Sequence, residues 1–212
     1  MAAARSVLLV PCKSEPWKEF GGATNLIGWR FRACHEYMNT FVDSWNTHGE
    51  RISFEEIYAR ERALFGMFST GASCIESMSY ALNALASHST ILGVPFGESE
   101  QRGCNPTRLR ELLNKHPDGQ SLAATLATIT ESQEWRLWIE FRNRMTHRSN
   151  LPRIVYGAVG SDPPPAKALQ FAATSSTRGL VADASHLESL FDWLAQSLRR
   201  LLVEGRDFAS RH

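Results

Sequence analysis

The sequence predicts an all-α protein, an antiparallel helical bundle carrying one short non-helical insertion. Three observations lead there. Apolar residues recur at steps of three and four along several long stretches, as one buried face of an α-helix requires. Helix-start signals stand ahead of those stretches, at "SFEE" (53–56), Asn105–Pro106 and "SHLE" (185–188). Only residues 150–182 break the pattern, and they hold four of the nine prolines.

Taken in order, residues 1–23 carry Pro11, Pro16, Gly21 and Gly22 and read as an irregular N-terminal arm. Ile27, Phe31, Met38, Phe41, Val42 and Trp45 then mark a first helix over about 25–47, closed by His48–Gly49. Ser53 and Glu56 form a capping box for a long helix. Along it Leu64, Phe68, Gly71, Ile75, Met78, Leu82 and Leu85 step four, three, four, three, four and three, a narrow seam of coiled-coil type. Gly71 and Ala72 would let a second helix approach closely. Beside the seam runs a polar line, Ser69, Ser73, Glu76, Tyr80 and Asn83, rotated by about one residue.

Residues 93–106 read as a loop, and Asn105 caps a short helix that starts at Pro106 and is broken by Pro117–Gly119. Helices follow over 121–131 and 132–149. The 150–182 segment, with three consecutive prolines, excludes helix there and reads as either a weak β-hairpin between "RIVYGAV" and "KALQF" or a partly mobile insertion. Ser185 and Glu188 form a second capping box, and Leu187, Phe191, Leu194, Leu198 and Leu201 carry a last helix to about residue 205. The whole of 1–212 is expected to form a single helical domain.

Bulk composition bounds the function. The 43% apolar content supports a core, and a formal net charge of +1 leaves no global pull toward nucleic acid or membrane, so any such pull is local. Cys12, Cys34, Cys74 and Cys104 are widely separated and form no zinc-type spacing, and Cys74 sits in an apolar pattern as a buried thiol would. No metal or other cofactor is expected. The opening "MAAARSVLLVPC" has too short an apolar run for a signal peptide, and no run approaches a membrane span. A cytoplasmic protein with no membrane partner is the expectation.

Chemistry concentrates in "EFRNRMTHRSN" (140–150). Trp135, Trp138, Arg142 and Met145 step three, four and three, which places Arg142 on a stripe marked as inward. A guanidinium there needs an anion, either a carboxylate or a ligand. Glu76, on the polar line of the long helix, is the expected partner. His147 lies about 140° from Arg142 on a straight helix, among Glu140, Asn143 and Arg144. Convergence of the two therefore needs a loosened last turn, bent side chains or a second copy of the chain. Five arginines against two glutamates leave residues 134–153 at +3, a basic end hidden in a neutral whole. Arginine forks suit phosphate. Trp135 and Trp138 could stack bases, but tryptophans on an inward stripe more often belong to the core.

The "RNRMTH" segment (142–147) resembles the Arg–polar–three residues–His motif of the HEPN superfamily, α-helical domains found in prokaryotic toxins, anti-phage systems and RNA-processing factors. The resemblance covers mainly residues 25–148 and 183–205. It implies a metal-independent endoribonuclease in which Arg142 holds the scissile phosphate, His147 moves a proton and Asn143 positions or polarises, with Glu76 and Arg144 in support. It also implies RNA as a partner, a homodimer that brings two motifs together, and an antitoxin or other protein partner for a toxin of this kind.

Blander readings stand beside it. Arg142 and Glu76 would then be a structural brace and His147 a helix-end residue satisfying the last carbonyls. The function would be that of a non-catalytic helical module binding a protein or nucleic acid, or of a small-ligand binder using the bundle interior.

Overall fold

The computed structural model describes residues 15–49, 53–147, 169–170 and 181–211. Seven α-helices make up nearly all of these: α1 (Glu15–His48), α2 (Phe54–Ala86), α3 (Glu98–Arg102), α4 (Pro106–Leu113), α5 (Gln120–Thr130), α6 (Gln133–His147) and α7 (Ala184–Ser210). A 3₁₀ turn at Pro117–Gly119 separates α4 from α5. Among the described residues none of these helices is long and apolar enough to cross a membrane.

Helix α1 starts at Glu15, within the expected irregular arm. The two adjacent glycines do not stop it because Phe20, Ala23 and Ile27 continue its buried stripe, and Trp17 stacks on Phe20. Tertiary burial outweighs the propensity cost of glycine, about 1 kcal/mol per residue. The far end closes where expected: Gly49 takes φ of +55° and its N–H donates to the Trp45 carbonyl.

Antiparallel α1 and α2 form the largest helix pair. The Cys34 thiol meets the Met67 carbonyl, while the Cys74 thiol meets that of Ile27. Burial pushes the Cys34 pKa up, and that of Cys74 to about 12, so both remain small neutral core groups. The seam of α2 is buried along its whole length from Leu64 to Leu85. Its capping box is made on both sides: Glu56 N–H donates to Ser53 Oγ at 3.3 Å and Ser53 N–H donates to Glu56 Oε2 at 2.6 Å. Ser53→Ala removes one acceptor at an exposed helix start and is expected to lower Tm by about 3 °C in a thermal melt.

Helix α6 crosses α2 at Gly71. Trp138, Phe141 and Phe68 form the contact; Phe68 stacks on Phe141 at 4.3 Å and meets Trp138 edge-on at 4.9 Å. A Cβ on Gly71 would stand 2.4 Å from the Trp138 ring. Gly71→Ala therefore gains about 1 kcal/mol of helix propensity and loses more to overpacking against a fully buried indole, a net cost of about 2 kcal/mol. Chemical denaturation should give a lower midpoint; a higher one would show that α6 is free to shift.

Two further expectations are corrected. The 93–106 stretch contains the short helix α3. Helix α7 is capped by Asp183, not by a box at Ser185. The Asp183 carboxylate accepts the His186 N–H at 2.7 Å and also the Ser185 hydroxyl, so the helix begins two residues earlier and runs on to Ser210. A carboxylate at the helix start also meets the positive end of the macrodipole. Asn105 caps α4, with Pro106 in its first turn, as the sequence predicts. Leu169–Gln170 (β1) and Val181–Ala182 (β2) pair antiparallel, Leu169 opposite Ala182. The remainder of the expected insertion, including "RIVYGAV", lies outside the described residues.

Candidate functional site

The site is built on α6 and the polar line of α2. Helix α6 buries Trp135, Trp138, Phe141 and Arg144, so its buried face is wider than the stripe read from the sequence and includes Phe141. Arg142 lies at one edge of that face and Arg144 at the other. Of the two, Arg144 is the buried one, 8% exposed, and pairs with Glu140 one turn back at 2.5 Å. The Arg142 side chain keeps 25% of its surface exposed. With Trp135 and Trp138 both in the core, neither is available to stack a base.

Arg142 meets its expected partner. Its Nη1 donates to Glu76 Oε1 at 2.5 Å, and its Nε donates to the Asn143 Oδ1 at 3.4 Å. The two helical wheels thus bring Arg142, Asn143 and Glu76 together, at the half-exposed edge of the α2–α6 contact. The Arg142 carbonyl accepts the Thr146 hydroxyl one turn on. Helix α6 runs to His147. The His147 side chain, like Arg148 and Arg153, lies outside the described residues.

The middle of the polar line of α2, Glu76 and Tyr80, faces a cleft. An open depression of about 550 Å³ runs between α1 and α2, lined among others by Glu19, Arg30, Glu76, Ser77, Tyr80 and Cys104. The Tyr80 hydroxyl donates to Glu19 at 2.8 Å and lies 3.1 Å from Gln101 Oε1. Burial, reinforced by Glu19, pushes the Tyr80 phenol above its usual pKa and keeps it a donor. At the end of the line the Asn83 amide donates to Cys104 Sγ. Sequence reading missed Glu19 and Arg30 because both belong to α1, on the flank of its apolar stripe. The available signal was an arginine set between Ile27 and Phe31.

No protein-family model, curated protein or solved structure matches this chain.

The chemistry open to the site follows from its donor set. Among the described residues no cluster of three His, Cys, Asp or Glu side chains is placed to hold a metal ion. The groups that do converge are a guanidinium with one edge in solvent, a carboxylate that orients it and an amide beside it. Such a set neutralises an oxyanion by directed N–H contacts.

Proposed function

We propose that this protein is a metal-independent endoribonuclease of HEPN type, acting as a toxin or anti-phage factor in the cytoplasm. The observation that carries the reading is the placement of Arg142: half-exposed, held by Glu76 and flanked by Asn143 on the last turns of α6. Arg142 binds a non-bridging oxygen of the scissile phosphate. The RNA 2′-hydroxyl attacks phosphorus, forming the P–O2′ bond as P–O5′ breaks. One proton leaves O2′ and one reaches O5′, giving a 2′,3′-cyclic phosphate and a 5′-hydroxyl end with no water or redox partner consumed. His147 moves a proton, Asn143 positions Arg142, and Glu76 and Arg144 support the helix edge. A homodimer supplies the second motif, which removes the difficulty that Arg142 and His147 diverge on one straight helix. An antitoxin or other protein holds the activity in check.

The experiment is cleavage of single-stranded RNA by purified protein in EDTA, with the ends analysed for cyclic phosphate and the oligomer measured by sedimentation. Cutting that persists in chelator and is lost in Arg142→Ala and His147→Ala supports the reading. A second reading draws on the same ion pair. Because Glu76 already satisfies Arg142 within the chain, the pair equally suits a brace in a non-catalytic module that binds a protein or nucleic acid. Wild-type protein that dimerises and never cuts would establish that alternative.

A further inference from the structure

We infer that the cleft between α1 and α2 is the track for a single RNA strand, with Arg30 contacting a second phosphate and Trp29 serving as a platform for a base. This deepens the nuclease reading and rests on it for the identity of the strand. Arg30 is half-buried, and its Nη1 donates to the Ser77 hydroxyl and, at 3.4 Å, to the Ser73 carbonyl. No carboxylate pairs with it among the described residues, and its Nε and Nη2 have no partner there. Both carboxylates lining the cleft are engaged elsewhere, Glu19 with Tyr80 and Glu76 with Arg142. A half-buried guanidinium with no direct carboxylate partner among the described residues keeps N–H donors to offer an anion, and its fork matches phosphate oxygens.

Placement makes the anion a polymer. Arg30 is tethered to Ser77 and Arg142 to Glu76, consecutive residues of α2. Glu76 and Ser77 both line the cleft, so a strand held at Arg142 beside Glu76 would meet Arg30 further along the same depression. At the rim, Trp29 is 74% exposed and makes no ring contact among the described residues. It sits one turn from Leu26, which lines the cleft. An indole left in solvent next to Arg30 on α1 fits sequence-tolerant stacking of a base. The four charges lining or bordering the cleft cancel, so affinity comes from directed contacts and its salt dependence is shallow.

A 2′-O-methyl oligoribonucleotide of about ten residues, with no nucleophile to cleave, separates binding from chemistry. Anisotropy titrations in EDTA over a range of salt should show binding by the wild type. Arg30→Gln should weaken it by about tenfold and flatten the log–log salt slope by about 0.7, the share of one phosphate contact on a single strand. Arg30→Lys, which keeps the charge, should restore part of both. Tryptophan emission should be quenched on binding, and Trp29→Ala should lose the quenching and about fivefold in affinity. Thermal melts check that each variant is folded. The inference is overturned if the wild type fails to bind, if Arg30→Gln binds like wild type, or if Trp29→Ala alters only sedimentation, which would make that face a contact between copies. Binding that follows this pattern without cleavage of natural RNA keeps the track and removes the nuclease; cleavage untouched by Arg30→Gln and Trp29→Ala does the reverse.

Discussion

Arg142→Ala is expected, on the proposed nuclease function, to lower RNA cleavage by about 10³-fold, the scale on which a preorganised donor to a developing phosphorane charge acts. The stability cost should be small by comparison. Both partners of the Glu76–Arg142 pair keep a quarter or more of their side-chain surface in water. Solvent screening limits a pair so exposed to about 1 kcal/mol, with some packing of the arginine stem added. Activity and stability therefore separate, which a purely structural role does not allow. Arg142→Lys sharpens the test. It keeps a charge near Glu76 but loses the planar fork, so the fold is retained and cleavage still falls steeply. Glu76→Gln removes the counter-charge while leaving one acceptor for Nη1, and a modest loss is expected. If Arg142→Ala and Glu76→Ala prove equal in Tm loss and the wild type has no activity to lose, the pair is a brace. Initial rates in EDTA alongside melts of the same samples decide between these outcomes.

How far the sequence discloses this arrangement depends on the kind of information each feature needs. Local signals were legible: the α2 seam, the Ser53–Glu56 box and the Asn105 cap all follow from spacing along one helix. The Arg142–Glu76 contact was legible from two wheels because the angular position on each helix was well marked. The width of a buried face is different, since it is set by how many neighbours surround a helix. Helix α6 is covered over about half its circumference, so Phe141 and Arg144 go inside along with Trp138. A three-four stripe could not distinguish the buried arginine from the half-exposed one. The start of α1 was hidden for a related reason. Pro16 and the two glycines argue locally for an arm, and only the packing of Phe20 and Ala23 against other helices reverses that. Arg30 and Glu19 gain meaning solely from the α2 residues opposite them.

Arg60 was the least legible residue of all, and its replacement carries the largest expected effect on stability. The side chain is 1% exposed, yet no salt bridge to a carboxylate is made among the described residues. Its counter-charge is the C-terminal end of α1. Nε donates to Ser44 Oγ, Nη2 to the Ser44 carbonyl at 2.7 Å and Nη1 to the Gly49 carbonyl at 2.8 Å, while the guanidinium sits 5.3 Å from the Trp45 ring centre. These acceptors lie where the helix dipole is negative and backbone carbonyls lack intrahelical donors. Burial lowers the Arg60 pKa from its ordinary value, partly offset by the Glu56 carboxylate. Arg60→Met fills similar space but leaves two part-buried carbonyls and a hydroxyl without their donor, at a cost of about 3 kcal/mol, or roughly 8 °C in Tm. Arg60→Lys can satisfy only part of that set and should fall between. A loss below about 1 kcal/mol for Arg60→Met would mean that water replaces the guanidinium at no great cost and that packing alone sets how α2 meets the end of α1. The expected loss has a functional corollary. Because α1 and α2 are antiparallel, the Arg60 contacts to the end of α1 help fix their register, and that register places Arg30 opposite Ser73 and Ser77. A folded Arg60 variant should therefore bind the oligoribonucleotide more weakly although residue 60 lines no part of the cleft.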